Sequence, residues 1–101
     1  MKRSRVVVPW AEGLHLRPAA RLVRVAKRFH SSIVLTLGGR IADLRSILSV
    51  IALCATMGAA LELEATGEDE QNAIEAVEQV FSSDESGDST SSEDSPGRDQ
   101  L

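Results

Sequence analysis

The sequence predicts an α+β domain of two layers, in which helices cover one face of a β-sheet. Segments of strand and helix periodicity follow one another in the order strand, helix, strand, strand, helix, strand, helix. One tight hairpin signal, Gly38-Gly39, joins two strands directly, whereas the other strands are connected through helices. Because aromatic residues are few, the core must be built from Val, Ile, Leu and Ala.

The first strand and the first helix are predicted from two short segments. Residues 5–8, RVVV, form a strand that Pro9 stops. Residues 16–28 place apolar side chains at helical spacing and arginines on the opposite face. The apolar positions are Ala19, Leu22, Val23 and Ala26, and the arginines are Arg17, Arg21, Arg24 and Arg28.

A hairpin and an ambiguous segment come next. Residues 32–37, SIVLTL, predict a strand, and the Gly-Gly pair turns the chain into a second strand, RIAD, at 40–43. Residues 46–54, SILSVIALC, fit either a strand or a short buried helix by periodicity. Ser46 before the apolar run is a good N-cap, which favours the helix.

The last two elements precede a change in composition. Residues 61–65, LELEA, alternate and predict a strand. Residues 67–81, GEDEQNAIEAVEQVF, open with acids that suit a helix N-terminus and then supply an apolar stripe. Residues 84–101 are rich in Ser, Asp, Glu and Gly, so we expect a disordered acidic tail after a packed domain of residues 1–83.

The net charge of −4 conceals regions of opposite sign. Residues 1–46 carry ten Lys or Arg and two acids, residues 47–83 carry seven acids and no base, and residues 84–101 carry six acids and one Arg. Such segregation predicts either an acidic partner for the basic region or neutralisation between the regions across the fold. Charge counting leaves both interpretations open.

The segment EGLHLRPAA, residues 12–20, places His15 at the predicted start of the first helix. Backbone N–H groups there lack intrahelical partners, and the helix dipole adds partial positive charge, so an anion can bind. Arg17 adds a guanidinium suited to phosphate oxygens. The dipole also favours a neutral imidazole, whose lone pair is a nucleophile. The residues therefore predict either a phosphoryl-accepting histidine or a surface histidine that caps a helix.

Three segments resemble the HPr family, the histidine-containing phosphocarriers of the bacterial phosphotransferase system. GLHLRPAA at 13–20 resembles the family's active-site motif, RSILSVIAL at 45–53 its second motif, and residues 57–77 its closing strand and helix. The resemblance covers nearly all of residues 1–83. It implies an open-faced β-sandwich, a four-stranded antiparallel sheet with three helices on one face, in the order βαββαβα.

The resemblance also implies a phosphoryl carrier, not an enzyme with turnover of its own, and it implies no cofactor. His15 would accept a phosphoryl group at Nδ1 from phosphorylated enzyme I and pass it to IIA domains, while Arg17 steadies the group. The partner-binding residues would be Leu16, Ala20, Arg24, Lys27, Ile47, Leu48 and Ile51. Ile47, Leu48 and Ile51, with Ala20, would form an apolar docking patch. Arg17, Arg24 and Lys27 would meet acidic partner surfaces.

Ser46 resembles the regulatory serine of the family, which an HPr kinase/phosphorylase phosphorylates in many bacteria. A phosphate there would put negative charge beside the docking patch and weaken acceptance from enzyme I. Ser46 can equally be a plain N-cap worth roughly 1 kcal/mol. The alternative function is therefore a regulatory module that signals through phosphorylated Ser46 without sugar transport, in a nitrogen-type or catabolite-control branch.

The chain departs from the family pattern at Glu12, Leu16 and Ser49. Glu12 stands where the family commonly has a small polar residue, and its carboxylate would repel a phosphoryl group on His15 unless it points to solvent. Leu16 replaces the usual Thr or Ala, which affects partner choice. Ser49 replaces a common Gly.

Other classes of function lack support in the sequence. The basic helix is not accompanied by stacking aromatics on the strands, so no nucleic-acid binding is expected. His30 and Cys54 lack the spacing of metal ligands, and we expect a loop residue and a core thiol, with no metal. Because the chain shows no secretory signal and no apolar run long enough to span a membrane, we expect a cytoplasmic monomer without membrane insertion.

Overall fold

A computed structural model describes residues 1–82, which form a four-stranded antiparallel sheet and three helices. The strands are β1 (Lys2–Val7), β2 (Ser32–Leu37), β3 (Arg40–Asp43) and β4 (Ala60–Thr66), and the helices are α1 (Leu16–Ala26), α2 (Ile47–Ala52) and α3 (Glu70–Ser82). The order βαββαβα confirms the predicted fold class, and the sheet order is β1-β4-β2-β3. The acidic tail predicted for residues 84–101, and the end of the packed domain at residue 83, lie outside the described residues.

Alternation along the strands sends one row of side chains from each strand into the core. Leu35 of β2 lies opposite Leu63 of β4, Val6 of β1 lies opposite Leu61, and all four are buried. The helices complete this core with Ala19, Leu22, Ala26, Val50, Ala73, Ile74 and Val77. The core is therefore aliphatic, as the composition predicted, apart from an aromatic pair described with the site below.

The other face of the sheet is polar and neutralises part of the charge asymmetry. Arg3 of β1 pairs with Glu64 of β4 at 3.6 Å, and Arg5 lies opposite Glu62 in the register. Basic β1 thus lies beside acidic β4 in the sheet. This agrees with the interpretation that the oppositely charged regions neutralise each other across the fold. This pairing also begins β1 at Lys2, earlier than the predicted start at residue 5, although these first residues carry no apolar pattern.

α1 ends at Ala26, before the predicted end at residue 28. The amide of Arg28 donates to the carbonyl of Val25 at 3.1 Å, and the amide of Phe29 donates to that of Ala26 at 3.2 Å. Both bonds reach back three residues instead of four, so the chain tightens out of α-helical geometry at this point.

The ambiguous segment after β3 is a helix. The Ser46 side chain accepts a hydrogen bond from the Ser49 amide at 3.3 Å, which satisfies one donor of the first turn. Cys54 follows the helix with a left-handed φ of 54° and an exposed side chain. The prediction of a core thiol is therefore wrong, because the left-handed turn that ends α2 leaves Leu53 buried and directs Cys54 to solvent.

The loop before β2 is tied to the start of α3 by Asp69. Its carboxylate accepts hydrogen bonds from the Ser31 hydroxyl at 2.5 Å, the Ser31 amide at 2.9 Å and the His30 amide at 2.9 Å. These bonds, first that of the Ser31 hydroxyl and then that of the His30 amide, lower the pKa of Asp69 below its ordinary 3.8, because they favour the charged form. Asp69, which binds this loop, precedes the first helical residue, Glu70. α3 therefore starts later than the predicted residue 67. His30 is a loop residue, as predicted.

Asp69→Asn should lower the melting temperature most strongly near neutral pH. Because the folded state lowers the pKa of Asp69, its stabilising contribution is complete above the unfolded-state pKa and is lost as pH falls through the lower folded-state value. The difference in melting temperature from the wild type should therefore shrink below about pH 4, as circular dichroism melts across the acid range would measure. The matched control is Glu68→Gln, which removes a neighbouring exposed carboxylate; a pH-independent difference for Asp69→Asn contradicts the assignment.

Candidate anion-accepting site at the start of α1

His15 occupies the N-cap position of α1, as the sequence predicted, with extended backbone at φ −90° and ψ −167°. Its carbonyl accepts the first helical hydrogen bond, from the Ala19 amide at 3.0 Å. Its side chain makes no capping hydrogen bond, which removes the alternative of a histidine whose ring caps the helix. The side chain is 39% exposed, so partners can reach the ring from solvent.

The loop that carries His15 is held against the segment after α2. The Leu14 amide donates to the Ala55 carbonyl at 2.9 Å, and the Gly13 amide donates to the Trp10 carbonyl at 2.8 Å. Trp10, Leu14 and Ala55 are all buried. The backbone on the N-terminal side of His15 is therefore fixed by packing as well as by hydrogen bonds.

Both ring nitrogens of His15 face an acceptor. Nδ1 lies 3.0 Å from the Gly13 carbonyl, and Nε2 lies 3.3 Å from Oε1 of Glu12. A neutral ring can donate to only one of these acceptors, whereas an imidazolium can donate to both. A nucleophilic lone pair on Nδ1 therefore requires the ring to turn away from the Gly13 carbonyl.

Glu12 meets the imidazole although its side chain is 78% exposed. The carboxylate lies on the Nε2 side of the ring, the opposite edge from Nδ1. This placement reduces the expected electrostatic repulsion between Glu12 and a phosphoryl group, because a group on Nδ1 would lie across the ring from the carboxylate.

The start of α1 provides donors for an anion. The amides of Leu16 and Arg17 lie in the first turn, where a helix supplies no acceptor. The Arg17 side chain is exposed and makes no ion pair with any residue of 1–82. His15 and Arg17 line one depression of about 980 Å³. The arrangement can hold a small oxyanion next to the imidazole.

Sequence reasoning missed four residues that line this depression, Pro9, Trp10, Ala11 and Ser82. Trp10 is only 4% exposed and packs on Phe81, with ring centroids 5.2 Å apart. Its indole Nε1 is buried without a hydrogen-bond partner in the part of the chain that the structure describes. The signal for Trp10 was its position, since the chain's single tryptophan lies five residues before His15. Ser82 ends α3, so the chain continues from the rim of the depression.

The predicted apolar docking residues differ in exposure. Leu16 is 62% exposed and Leu48 is 75% exposed, so both are available to a partner. Ile47 and Ile51 are half-buried and pack against the core, because α2 must also cover the sheet. The exposed apolar surface among the predicted partner-binding residues therefore consists mainly of two leucines, one on α1 and one on α2.

The remaining predicted contact residues lie on α1. Ala20 and Arg24 line the depression that holds His15. Lys27 lines a neighbouring groove, which it shares with Arg24 and with Val80 of α3. The structure thus brings His15, Arg24 and Ala20 together and places Lys27 at the C-cap of the same helix.

Two further findings concern residues 1–82 alone. None of the helices described there combines the length and the apolar character needed to cross a bilayer. No cluster of three or more His, Cys, Asp or Glu side chains in this range is arranged to hold a metal ion.

Several known proteins are similar to this chain. Residues 2–83 match the family described as PTS HPr component phosphorylation site. Phosphocarrier protein HPr of Haemophilus influenzae is 46% identical over 65 residues, which cover 64% of this chain and 76% of that protein. The histidine-containing phosphocarrier protein of Mycoplasma superimposes with a TM-score of 0.76 at 30% identity, over 78% of this chain and 90% of that one. Crh, the Bacillus subtilis catabolite repression containing protein, described as a swapped dimer, gives 0.65 at 36% identity, over 80% and 93%.

Proposed function

The chain belongs to the HPr family of phosphocarriers of the phosphotransferase system, and we propose that it accepts a phosphoryl group on His15 from phospho-enzyme I and passes it to IIA domains. The observation that carries this proposal is the accessible His15 ring at the start of α1, where the first-turn amides and the Arg17 guanidinium are available to an oxyanion. A relay needs such an acceptor, because two partners must reach the same atom in turn.

In the proposed transfer, a bond forms between His15 Nδ1 and phosphorus while the bond from phosphorus to the donor breaks. The ring first turns away from the Gly13 carbonyl, which frees the Nδ1 lone pair. The ring proton then resides on Nε2. The Glu12 carboxylate lies 3.3 Å from Nε2 before the turn, and its exposed side chain can follow the ring, accept this proton in a hydrogen bond and hold the tautomer. Arg17 and the first-turn amides offset the charge of the phosphoryl oxygens.

Docking of the partners is proposed to use the exposed leucines, Leu16 and Leu48, together with Arg24 and Lys27. Such interfaces are small, so each partner can leave after transfer. Arg24 and Lys27 would steer acidic surfaces toward His15, and the rate of encounter would fall as salt is added. We propose that the carrier works as a monomer in the cytoplasm, since this surface must stay open to successive partners.

The proposal is tested with the full chain, enzyme I and labelled phosphoenolpyruvate. We expect a stoichiometric label that is lost in acid, kept in alkali, and transferred when a IIA domain is added. Absence of label with enzymes I from several sources contradicts the carrier function. A label that enters but never leaves for any IIA domain contradicts the relay.

A regulatory module acting through Ser46 is the second candidate, and the observation that favours it is the position of this serine beside the docking leucines. Ser46 caps α2, and Leu48, two residues later, is the more exposed of the two leucines. A phosphate on Ser46, added by an HPr kinase/phosphorylase, would place charge next to that side chain. Similarity to a protein named for catabolite repression is compatible with this role.

Ser46→Asp should slow acceptance from phospho-enzyme I about tenfold, which corresponds to about 1.4 kcal/mol of unfavourable charge beside the docking patch. The matched control is Ser46→Asn, because Ser, Asp and Asn cap helices about equally well and only Asp adds charge. Initial rates of phosphorylation measure the effect, and melting temperatures verify that both variants keep α2. Equal rates for the two variants would remove the electrostatic basis of Ser46 regulation.

A further inference from the structure

Four exposed cations along one side of α1 and just after its end form no salt bridge with an acid of residues 1–82. They are Arg17 and Arg24 of α1, Lys27 at its C-cap and Arg28, which lies 6.0 Å from the Phe29 ring centroid, and they are called the basic face below. The ion pairs within residues 1–82 join Met1 to Glu70, Arg3 to Glu64 and Glu12 to His15. None of these pairs involves the basic face, so its charge is open to a ligand.

On the sheet, acidic residues of β4 lie beside the basic residues of β1. Arg3 pairs with Glu64, and Arg5 forms no salt bridge within residues 1–82 but lies opposite Glu62 in the register. Neutralisation within the fold therefore accounts for the basic residues of the sheet. It does not account for the cations of the basic face.

The grooves along the basic face lead to the end of α3. Arg24 lines the depression that holds His15 and also a second groove of about 480 Å³, which lies between α1 and Val80 of α3. Ser82, the last described residue, lines the first depression and also a smaller groove beside Arg5 of β1. The chain therefore leaves the described domain at an edge next to the depression that Arg17 and Arg24 line.

The residues after Ser82 have the complementary charge. Residues 84–101 contain six acids and one arginine. The first acids, Asp84, Glu85 and Asp88, fall within six residues of Ser82. Six extended residues reach about 20 Å, whereas the eleven residues of α1 span about 16 Å, so Asp88 can reach along the whole helix. Asp84 and Glu85, two and three residues after Ser82, reach only about 7 and 10 Å.

We propose that residues 84–101 bind the basic face of α1 as an intramolecular acidic ligand and cover the surface that acidic partners would use. Tethering gives a short segment an effective concentration in the millimolar range, so weak contacts suffice to populate the bound form. The intramolecular binding is inferred from the opposite charges of the two segments and from the position of Ser82. The competition with partners rests in addition on the proposed function.

Binding is tested by NMR on the full chain. The variant carries Asp84→Asn, Glu85→Gln, Asp88→Asn, Glu93→Gln, Asp94→Asn and Asp99→Asn. At low ionic strength the amide and Arg Nε–H resonances of the basic face should differ between wild type and variant, and in about 1 M salt, where the Debye length is about 3 Å, they should coincide. A control with Glu68→Gln and Glu75→Gln, which changes net charge elsewhere, should leave these resonances in place. Coincidence of the basic-face resonances at low ionic strength would overturn the proposal.

Competition is tested by the rate of phosphorylation of the same two chains by enzyme I. Neutralising residues 84–101 should raise this rate about threefold at low ionic strength, with convergence in high salt. NMR differences combined with equal rates overturn the competition. If the NMR spectra differ but enzyme I labels neither chain, the intramolecular contact is supported and the carrier function is contradicted. Failure of the intramolecular binding and failure of the carrier function therefore give different results.

Discussion

A His15→Gln variant should accept no phosphoryl group from phospho-enzyme I and should still fold. Glutamine retains polar atoms at this position but has no nucleophilic nitrogen, so we expect labelling to fall by at least about a thousandfold. The side chain is 39% exposed and caps no amide, and a surface substitution of this kind changes the free energy of unfolding by about 0.5 kcal/mol or less. Labelling from phosphoenolpyruvate and a thermal melt of the same sample measure both effects.

His30 offers a matched control for this substitution. The chain contains two histidines, and His30 lies exposed in the loop before β2. Its hydrogen bond to Asp69 comes from the backbone amide, so His30→Gln leaves that bond in place. We expect His30→Gln to be labelled like the wild type. A label that survives in His15→Gln and disappears in His30→Gln would contradict the assignment of the acceptor.

The fold could be predicted from the sequence where its signals are local. The alternation in β2 and the Gly38-Gly39 turn predict a hairpin, and the structure pairs Leu37 with Arg40 across that turn. The prediction was wrong where tertiary contacts decide. The polar start of β1 becomes a strand because β4 pairs with it, and Cys54 faces solvent because the chain turns left-handed after α2.

In the candidate site, too, local features could be predicted from the sequence, whereas features that depend on side-chain rotamers or tertiary packing could not. The N-cap position of His15 and the first-turn position of Arg17 follow from a few adjacent residues, so sequence patterns predict them. The contact of Glu12 with Nε2 rather than Nδ1 depends on the rotamer of the imidazole, which no pattern encodes. The presence of Ser82 beside His15 depends on how α3 packs against α1, a contact between segments far apart in the sequence.

Gly13→Ala should destabilise the domain by roughly 3 kcal/mol. Gly13 has a φ of +76°, and a Cβ built there would lie 2.5 Å from the Ala55 carbonyl oxygen. That oxygen already accepts the hydrogen bond from Leu14, so relieving the clash breaks the bond that fixes the His15 loop. The left-handed backbone adds about 1–2 kcal/mol for any residue with a side chain. Urea denaturation measures the total.

Gly58→Ala separates the two causes. Gly58 also has a positive φ, +89°, but a Cβ there would meet nothing within 4 Å. This control should therefore lose only the backbone component of about 1–2 kcal/mol, and the remainder in Gly13→Ala measures the close approach to Ala55. If both variants lose equal stability, the loop can move away from the segment after α2 at little cost. His15 would then not be held at the start of α1 by packing, and an oxyanion site that depends on fixed donors around the imidazole would lose its structural basis.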